Sequence, residues 1–403
     1  MTADAEAEYR YLQTPRAIRE RSRSIFELAQ RGELLHWSLD ERRLPEVAAR
    51  VVRVTRELYP DPRDIPYHSR WRHFDVGGVP RIAAFERRLG GLSADEQLMA
   101  RFELAITSVL LDAGAGPGWH YREPGGGVYR RSEGLAVASY ELFMSGALSS
   151  TPGELLADAE GLQGLSEARL SAAFQVEDAN PLTGVAGRAA LLRRLGEAVA
   201  GTPKYFGGAR PRLGQLALFL RTGARGSQLS AGDVLSAVLE ALGPIWPGRE
   251  RLAGKSLGDV WRHSSAGWLP FHKLSQWLSY SLLEPLEAAG LVIDGIDELT
   301  GLAEYRNGGL FVDAGVIALR DGAAREARHP VGSDLVIEWR ALTLALLDRT
   351  AVEVRGLLGL SESELPLARV LEGGTWRAGR EIAAEQRDGA RPPLNIDSDG
   401  TVF

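Results

Sequence analysis

Residues 271–311, FHKLSQWLSYSLLEPLEAAGLVIDGIDELTGLAEYRNGGLF, decide how the rest of the chain is read. Phe271, Leu274, Trp277, Leu278 and Leu282 recur at helical spacing, which predicts a buried helical face and places Lys273, Gln276 and Tyr280 on a neighbouring one. The chain turns at Gly290, crosses a short apolar segment from Leu291 to Ile293, and reaches Glu304, Tyr305, Arg306 and Asn307 ahead of a tight Gly308-Gly309 pair. Two consecutive elements thus deliver one lysine and one carboxylate, each set among apolar residues. That pair is the expected site.

Working outward, 403 residues suffice for a large core, and 44% hydrophobic with 25% charged residues is the balance of a globular protein. Helix and turn signals dominate. The expected architecture is a single, mainly α domain over residues 1–403, with a few short β-strands and with N-terminal helices within residues 1–60 packing on the body. A net charge of -6 gives no general attraction to nucleic acid. The absence of cysteine rules out disulfides, thiolate catalysis and cysteine metal sites. No apolar leader opens the chain and no run of eighteen apolar residues occurs, so a cytoplasmic, non-membrane protein is expected. Only three lysines, Lys204, Lys255 and Lys273, stand against 44 arginines. Genomic base composition accounts for most of that bias, but a lysine kept inside an apolar helix also suits a need for a compact ammonium of adjustable pKa.

In chain order, AIRERSRSIFELAQRG and LPEVAARVVRVTRELY read as helices with arginine-rich outer faces, and their interspersed glutamates favour solvated faces over a nucleic-acid surface. The irregular stretch from 60 to 81 holds His68, Arg70, Trp71, Arg72 and His73, where two histidines with aromatics can line a pocket. Residues 94–112 read as a helix. The glycines of AGAGPGWHYREPGGGVYRRSEG match neither phosphate-loop fingerprint, so the segment reads as a loop bringing Trp119, His120 and Tyr121 towards the core, with Arg130 and Arg131 just before the next helix. Ser132 is the expected N-cap of that helix, Glu133 a dipole partner at its start, and Gly146 its terminator. FVDAGVIAL has the apolar content of a strand. Ser333 or Asp334 caps a helix apolar nearly all round, so Glu338 and Arg340 within it each require a partner. The tail is expected to pack back on the body.

Longer motifs carry a resemblance. GPGWHYREPGGGVYRRSEGLAVAS, PFHKLSQWLSYSLLEPL, TGLAEYRNGGLFVD, HPVGSDLVIEWRALT, EGGTWRAGREIA and the terminal SDGTVF resemble, over essentially the whole chain, the bacterial and fungal uracil-catabolism family long filed as a domain of unknown function. That pathway converts uracil to its nucleotide and opens the ring to a ribosylurea phosphate, from which urea has still to be released. The order FHKLSQ, LTGLAEYRNGGLFVDAGV, GSDLVIEWRALTLALL is also similar to that of the queuosine-salvage nucleotide N-ribohydrolases, as is SEGLAVASYELFMSG to their first core helix. This second resemblance implies a remotely DNA-glycosylase-like helical fold, with Lys273 and Glu304 at the positions of the active-site lysine and acid. Glutamate stands where that family has aspartate, and Asn307-Gly308 where it has Val-Pro.

The implied activity is hydrolysis of the N-glycosidic bond of a ribosylurea 5′-phosphate, releasing urea and ribose 5-phosphate without cofactor or metal. Glu304 would stabilise the oxocarbenium ion and Lys273 would hold Glu304 ionised. A small-molecule ribosyl phosphate is the expected partner, met by Arg131, Arg306 and His272 at the phosphate and by Tyr305, Asn307 or a histidine at the leaving group. Gln276, Glu133, Trp119, His120, Glu338 and Arg340 complete the expected binding set. An amidohydrolase acting on the urea moiety, or a non-catalytic partner of the ring-opening enzyme, are the alternatives.

Overall fold

The N-terminal pattern forms three helices, α1 (Ala3–Leu12), α2 (Pro15–Gln30) and α3 (Leu44–Leu58), in a computed structural model that describes residues 3–112, 114–116, 118–246 and 248–397. The Thr14 hydroxyl accepts the Ala17 N–H at 3.1 Å and Pro15 occupies the first turn, so α2 begins where its orphan donors are met. Ala17, Ile18, Ile25, Phe26 and Ala29 form its buried stripe. The outer arginines are tied to acids, Arg16 to Glu20 and Arg53 to Glu57 at 2.7 Å each, as a solvated face requires.

Further along lie α4 (Ala94–Leu110), α5 (Arg131–Met144), α6 (Lys273–Ala288), α7 (Tyr305–Asp313), α8 (Asp334–Leu358) and α9 (Trp376–Gln386). Helix α8 is buried along most of its length and packs on α2, α3 and α7, while α6 packs on α4, and α7 on α9. One continuous apolar core runs from Ile18 to Leu394, and a small second cluster joins Leu12, Leu257 and Val260. The fold is mainly α. Among the described residues strands occur only as two-stranded pairs, such as Trp37–Leu39 antiparallel to Ile317–Leu319 and Gln228–Ser230 parallel to Val292–Asp294.

The two buried charges of α8 have the partners their burial demands. Arg340 grips Asp259 with both terminal nitrogens, at 2.8 and 2.7 Å. Glu338 accepts the His36 N–H at 3.3 Å and faces His263 Nε2 at 3.4 Å. Asn395–Asp397 pairs in parallel with Arg328–Pro330, so the tail does return to the body as far as it is described; the SDGTVF motif, residues 398–403, lies outside the described residues.

Several local expectations need correction. The segment read as a glycine-rich loop is a hairpin, with His120–Arg122 antiparallel to Val128–Arg130. Helix α5 starts one residue before Ser132, whose hydroxyl turns to Asp112 at 2.7 and 2.8 Å instead of capping. Of the strand expected from FVDAGVIAL only Ile317–Leu319 forms, because Phe311 to Asp313 complete α7. Gly308 and Gly309 are helical. They lie inside α7, where a Cβ on Gly308 would come 2.8 Å from Trp339 and Thr343 of α8, so glycine there permits close packing of two helices.

Candidate active site

Helix α6 fixes the lysine. Its N-cap, His272, sits at φ 45, a left-handed conformation costly for a non-glycine residue, and is buried with its Nε2 against the Leu12 carbonyl at 2.9 Å. The Lys273 N–H donates to Asp259 Oδ2 at 3.0 Å, so the Asp259–Arg340 pair both caps the helix and sets where the lysine begins.

The same helix holds the 68–74 segment through a consequence of Pro285. Proline lacks the N–H that would bond the Ser281 carbonyl, and Trp71 Nε1 takes that carbonyl at 2.8 Å. The Ser281 hydroxyl accepts the Arg70 N–H at 2.9 Å, and Glu284 takes Ser69 and Arg72.

Glu304 is the N-cap of α7 and each oxygen of its carboxylate accepts one backbone N–H. Oε2 accepts the Arg306 N–H at 2.7 Å and Oε1 the Asn307 N–H at 2.6 Å. Gly379 lets α9 approach this turn, since a Cβ there would lie 2.2 Å from the Arg306 carbonyl.

These elements enclose a cavity of about 440 Å³. Lys273, Glu304, Tyr305, Arg306 and Arg131 line it together, with Asp112 and Ser132 from the end of α4 and the start of α5. His68, His73, Trp277 and Trp376 form an aromatic wall with ring centroids 5.8 to 6.4 Å apart. Ala390, Arg391 and Pro392 border it as well, where Arg131 and Arg306 donate to the carbonyls of Gly389 and Ala390 at 2.6 and 2.7 Å.

Charge alternates across this cavity. Burial pushes the Glu304 carboxyl above its ordinary range, against the pull of its two N–H bonds and of Lys273. Burial likewise pushes the Lys273 ammonium down, opposed by Glu304 and Asp112. The two do not close as a contact ion pair, and among the described residues the ammonium has no hydrogen-bonding partner; it stays open to the cavity. Burial also raises Asp112, but Arg70 at 3.1 Å, His73, the Ser132 hydroxyl and Lys273 outweigh it and hold the carboxyl below its usual range. Burial and then Arg70 bring His73 down to about 4, so that ring is neutral near pH 7. Burial and the like charge of Arg306 depress Arg131, which starts α5 at φ 53. The other two lysines lie in exposed pairs, Lys204 with Glu240 and Lys255 with Glu6.

A family profile described as "Protein of unknown function (DUF1688)" matches residues 11–403. The chain belongs to this family. It is similar to "Protein urg3" of Schizosaccharomyces pombe, 41% identical over 397 residues and covering 96% of each chain. It is also similar to "Uracil catabolism protein 4" of Lachancea kluyveri, 37% identical over 435 residues with 98% of each covered. Coverage of this extent means that the cavity's elements all fall within the shared region.

Of the residues singled out in this family member's sequence, eight are not on the cavity lining. Trp119 is core, donating to the Phe174 carbonyl at 2.9 Å, and His120 belongs to the hairpin and meets Asn180. Glu338 and Arg340 have the partners given above. Asn307 is buried between Leu302 and Thr375, and Gln276 accepts the Thr300 N–H at 3.3 Å. His272 caps α6, and Glu133 pairs outside with Arg380 at 3.2 Å. Conversely, Asp112, Trp277 and Trp376 line the cavity without having been singled out as site residues. Trp277 lies one turn after Lys273, and its apolar spacing alone places it on the core face. Among the described residues no group of three or more histidine or carboxylate side chains is placed to hold a metal ion, and no helix is long and apolar enough to cross a membrane.

Proposed function

We propose that this protein acts in uracil catabolism as a nucleotide N-ribohydrolase, cleaving the N-glycosidic bond of ribosylurea 5′-phosphate to urea and ribose 5-phosphate. The names of the two relatives support the pathway. The resemblance to queuosine-salvage N-ribohydrolases supports the reaction class.

The observation that carries the reading is the placement of Glu304 and Lys273 on one cavity, held from separate elements and not neutralised by contact. Breaking a ribose C–N bond builds positive charge at C1′ and the ring oxygen, and a fixed carboxylate stabilises it. Glu304 cannot swing away, because both its oxygens are tied to backbone N–H groups. Those same bonds leave further lone pairs to orient and deprotonate the attacking water. Lys273 keeps the carboxyl ionised from across the cavity. Arg131 and Arg306, with Arg391 beside them and the start of α5 on the lining, supply the positive end that a 5′-phosphate requires.

The test is incubation of the chelator-treated protein with ribosylurea 5′-phosphate, following products by mass spectrometry. Equal yields of urea and ribose 5-phosphate are expected. Ammonia without urea, or no turnover with or without added metal, would overturn the reading.

A further inference from the structure

Glu304, Lys273 and the arginines leave one wall of the cavity without a task. That wall holds two imidazoles, His68 and His73, between the indoles of Trp277 and Trp376. Its hydrogen-bonding character follows from what stands behind each ring. His68 Nδ1 lies 2.7 Å from Glu372 Oε2, and a carboxylate only accepts, so Nδ1 carries a proton and the neutral tautomer is the one with a bare Nε2. Burial raises the Glu372 carboxyl, but the bond from His68, largest of the opposing causes, helps to hold it below its usual range.

His73 is set the other way. Its Nδ1 faces Arg70 Nη1 at 3.5 Å, and a guanidinium only donates, so the proton sits on Nε2. Arg70 is locked in turn by Ser108 at 2.7 Å and Asp112 at 3.1 Å. Neither Nε2 has a hydrogen-bonding partner among the described residues. The two imidazoles of this wall therefore offer the cavity one acceptor and one donor beside the indoles of Trp277 and Trp376.

We propose that this wall is the leaving-group subsite and selects a planar ureide or amide edge, His73 Nε2–H donating to its carbonyl oxygen and His68 Nε2 accepting its N–H. The assignment rests on the N-ribohydrolase reading and deepens it. An alkyl or aryl leaving group satisfies neither ring, whereas a ureide satisfies both. When the C1′–N bond breaks, the electron pair stays on nitrogen and spreads to the carbonyl oxygen, so the His73 bond strengthens as the group departs, and the proton that Glu304 takes from the attacking water is the one that completes urea. His68 instead binds a group whose charge changes less. Loss of His73 thus falls on kcat and loss of His68 on KM.

The experiment compares two substrates, ribosylurea 5′-phosphate and 4-nitrophenyl riboside 5′-phosphate, whose leaving group lacks the ureide edge and departs readily. For wild type, His73→Phe, His68→Leu and Glu372→Gln, kcat and KM are measured on both, with thermal unfolding to show that each variant is folded. Both histidine variants are expected to lose roughly tenfold to a hundredfold in kcat/KM on the ureide and less than about threefold on the aryl substrate. Glu372→Gln, which lets the His68 tautomer flip, is expected to lose about tenfold on the ureide alone. Equal losses on both substrates, or none on either, overturn the subsite while leaving the hydrolase reading intact. Wild type inactive on both substrates overturns the hydrolase reading and the subsite with it.

Discussion

Replacing Lys273 by methionine separates a reactive ammonium from a structural one. Desolvating an ammonium costs roughly several kcal/mol. Glu304 and Asp112 return part of this, but burial wins, because the lysine's pKa is driven down from 10.5. Methionine follows the same stem path without the charge, and Glu304 is not stranded, since it keeps both backbone N–H bonds. The expected gain at pH 7 is about 1–2 kcal/mol. Unfolding entropy scales with length, so a chain of this size shifts by roughly 1 °C per kcal/mol, giving a rise in Tm of about 1–2 °C. Turnover of ribosylurea 5′-phosphate is expected to fall by at least about a hundredfold. The sign with pH is a second check. Between the lowered folded pKa and the unfolded value the unfolded chain binds more protons, so wild-type stability gains as pH rises through that window, and the penalty is fully present below it. Calorimetry on both proteins from pH 7 to 10 should show the variant's advantage shrinking as pH rises. A Tm several degrees lower at pH 7, with turnover retained, would refute the reasoning and mark Lys273 as a structural charge.

Glu304→Gln should lose at least about a hundredfold in turnover and also about 1 kcal/mol of stability by denaturant titration, because an amide offers one acceptor oxygen to two N–H groups; near-normal turnover removes Glu304 from the mechanism. The pH–rate profile should have an acid limb above 4.5, as Glu304 protonates, and an alkaline limb below 10.5, as Lys273 loses its proton; a flat profile across either limb excludes that residue. Asp259→Ala removes the carboxylate from the buried Arg340 and uncaps α6, and denaturant titration should show a loss of about 3–5 kcal/mol, against less than about 1 if the pair is idle. Pro285→Ala restores an N–H that competes with Trp71 for the Ser281 carbonyl, and kcat/KM should fall by roughly tenfold, about 1.4 kcal/mol, with little change in Tm; an unchanged kcat/KM means that Trp71 does not depend on that carbonyl.

The helices were legible because their apolar spacing is local information. Ala94–Leu110 and Lys273–Ala288 follow from a stripe and a break that any reader of the chain can find. The demand for partners at Glu338 and Arg340 was also legible, since it follows from burying charge, but which groups answer it was not, because Asp259 and His263 are far away in the chain. The same limit explains the site. Lys273, Trp277 and Glu304 fall in one stretch, whereas the rest of the wall comes from residues near 70 and 376, and the 68–74 segment is held by a proline and a tryptophan whose exchange of one carbonyl leaves no mark on periodicity. The Gly308-Gly309 pair is opaque for a related reason: the need that Gly308 meets is contact with a neighbouring helix.

The scarcity of lysine makes the cavity observable in solution. Two of the three ammonium groups sit in exposed ion pairs and the third faces the cavity. Isotopic labelling of lysine alone would therefore give an NMR spectrum with three side-chain reporters, two of them surface references recorded in the same sample. The remaining resonance would follow the interior charge directly, through titration and ligand addition, without a mutation or a probe.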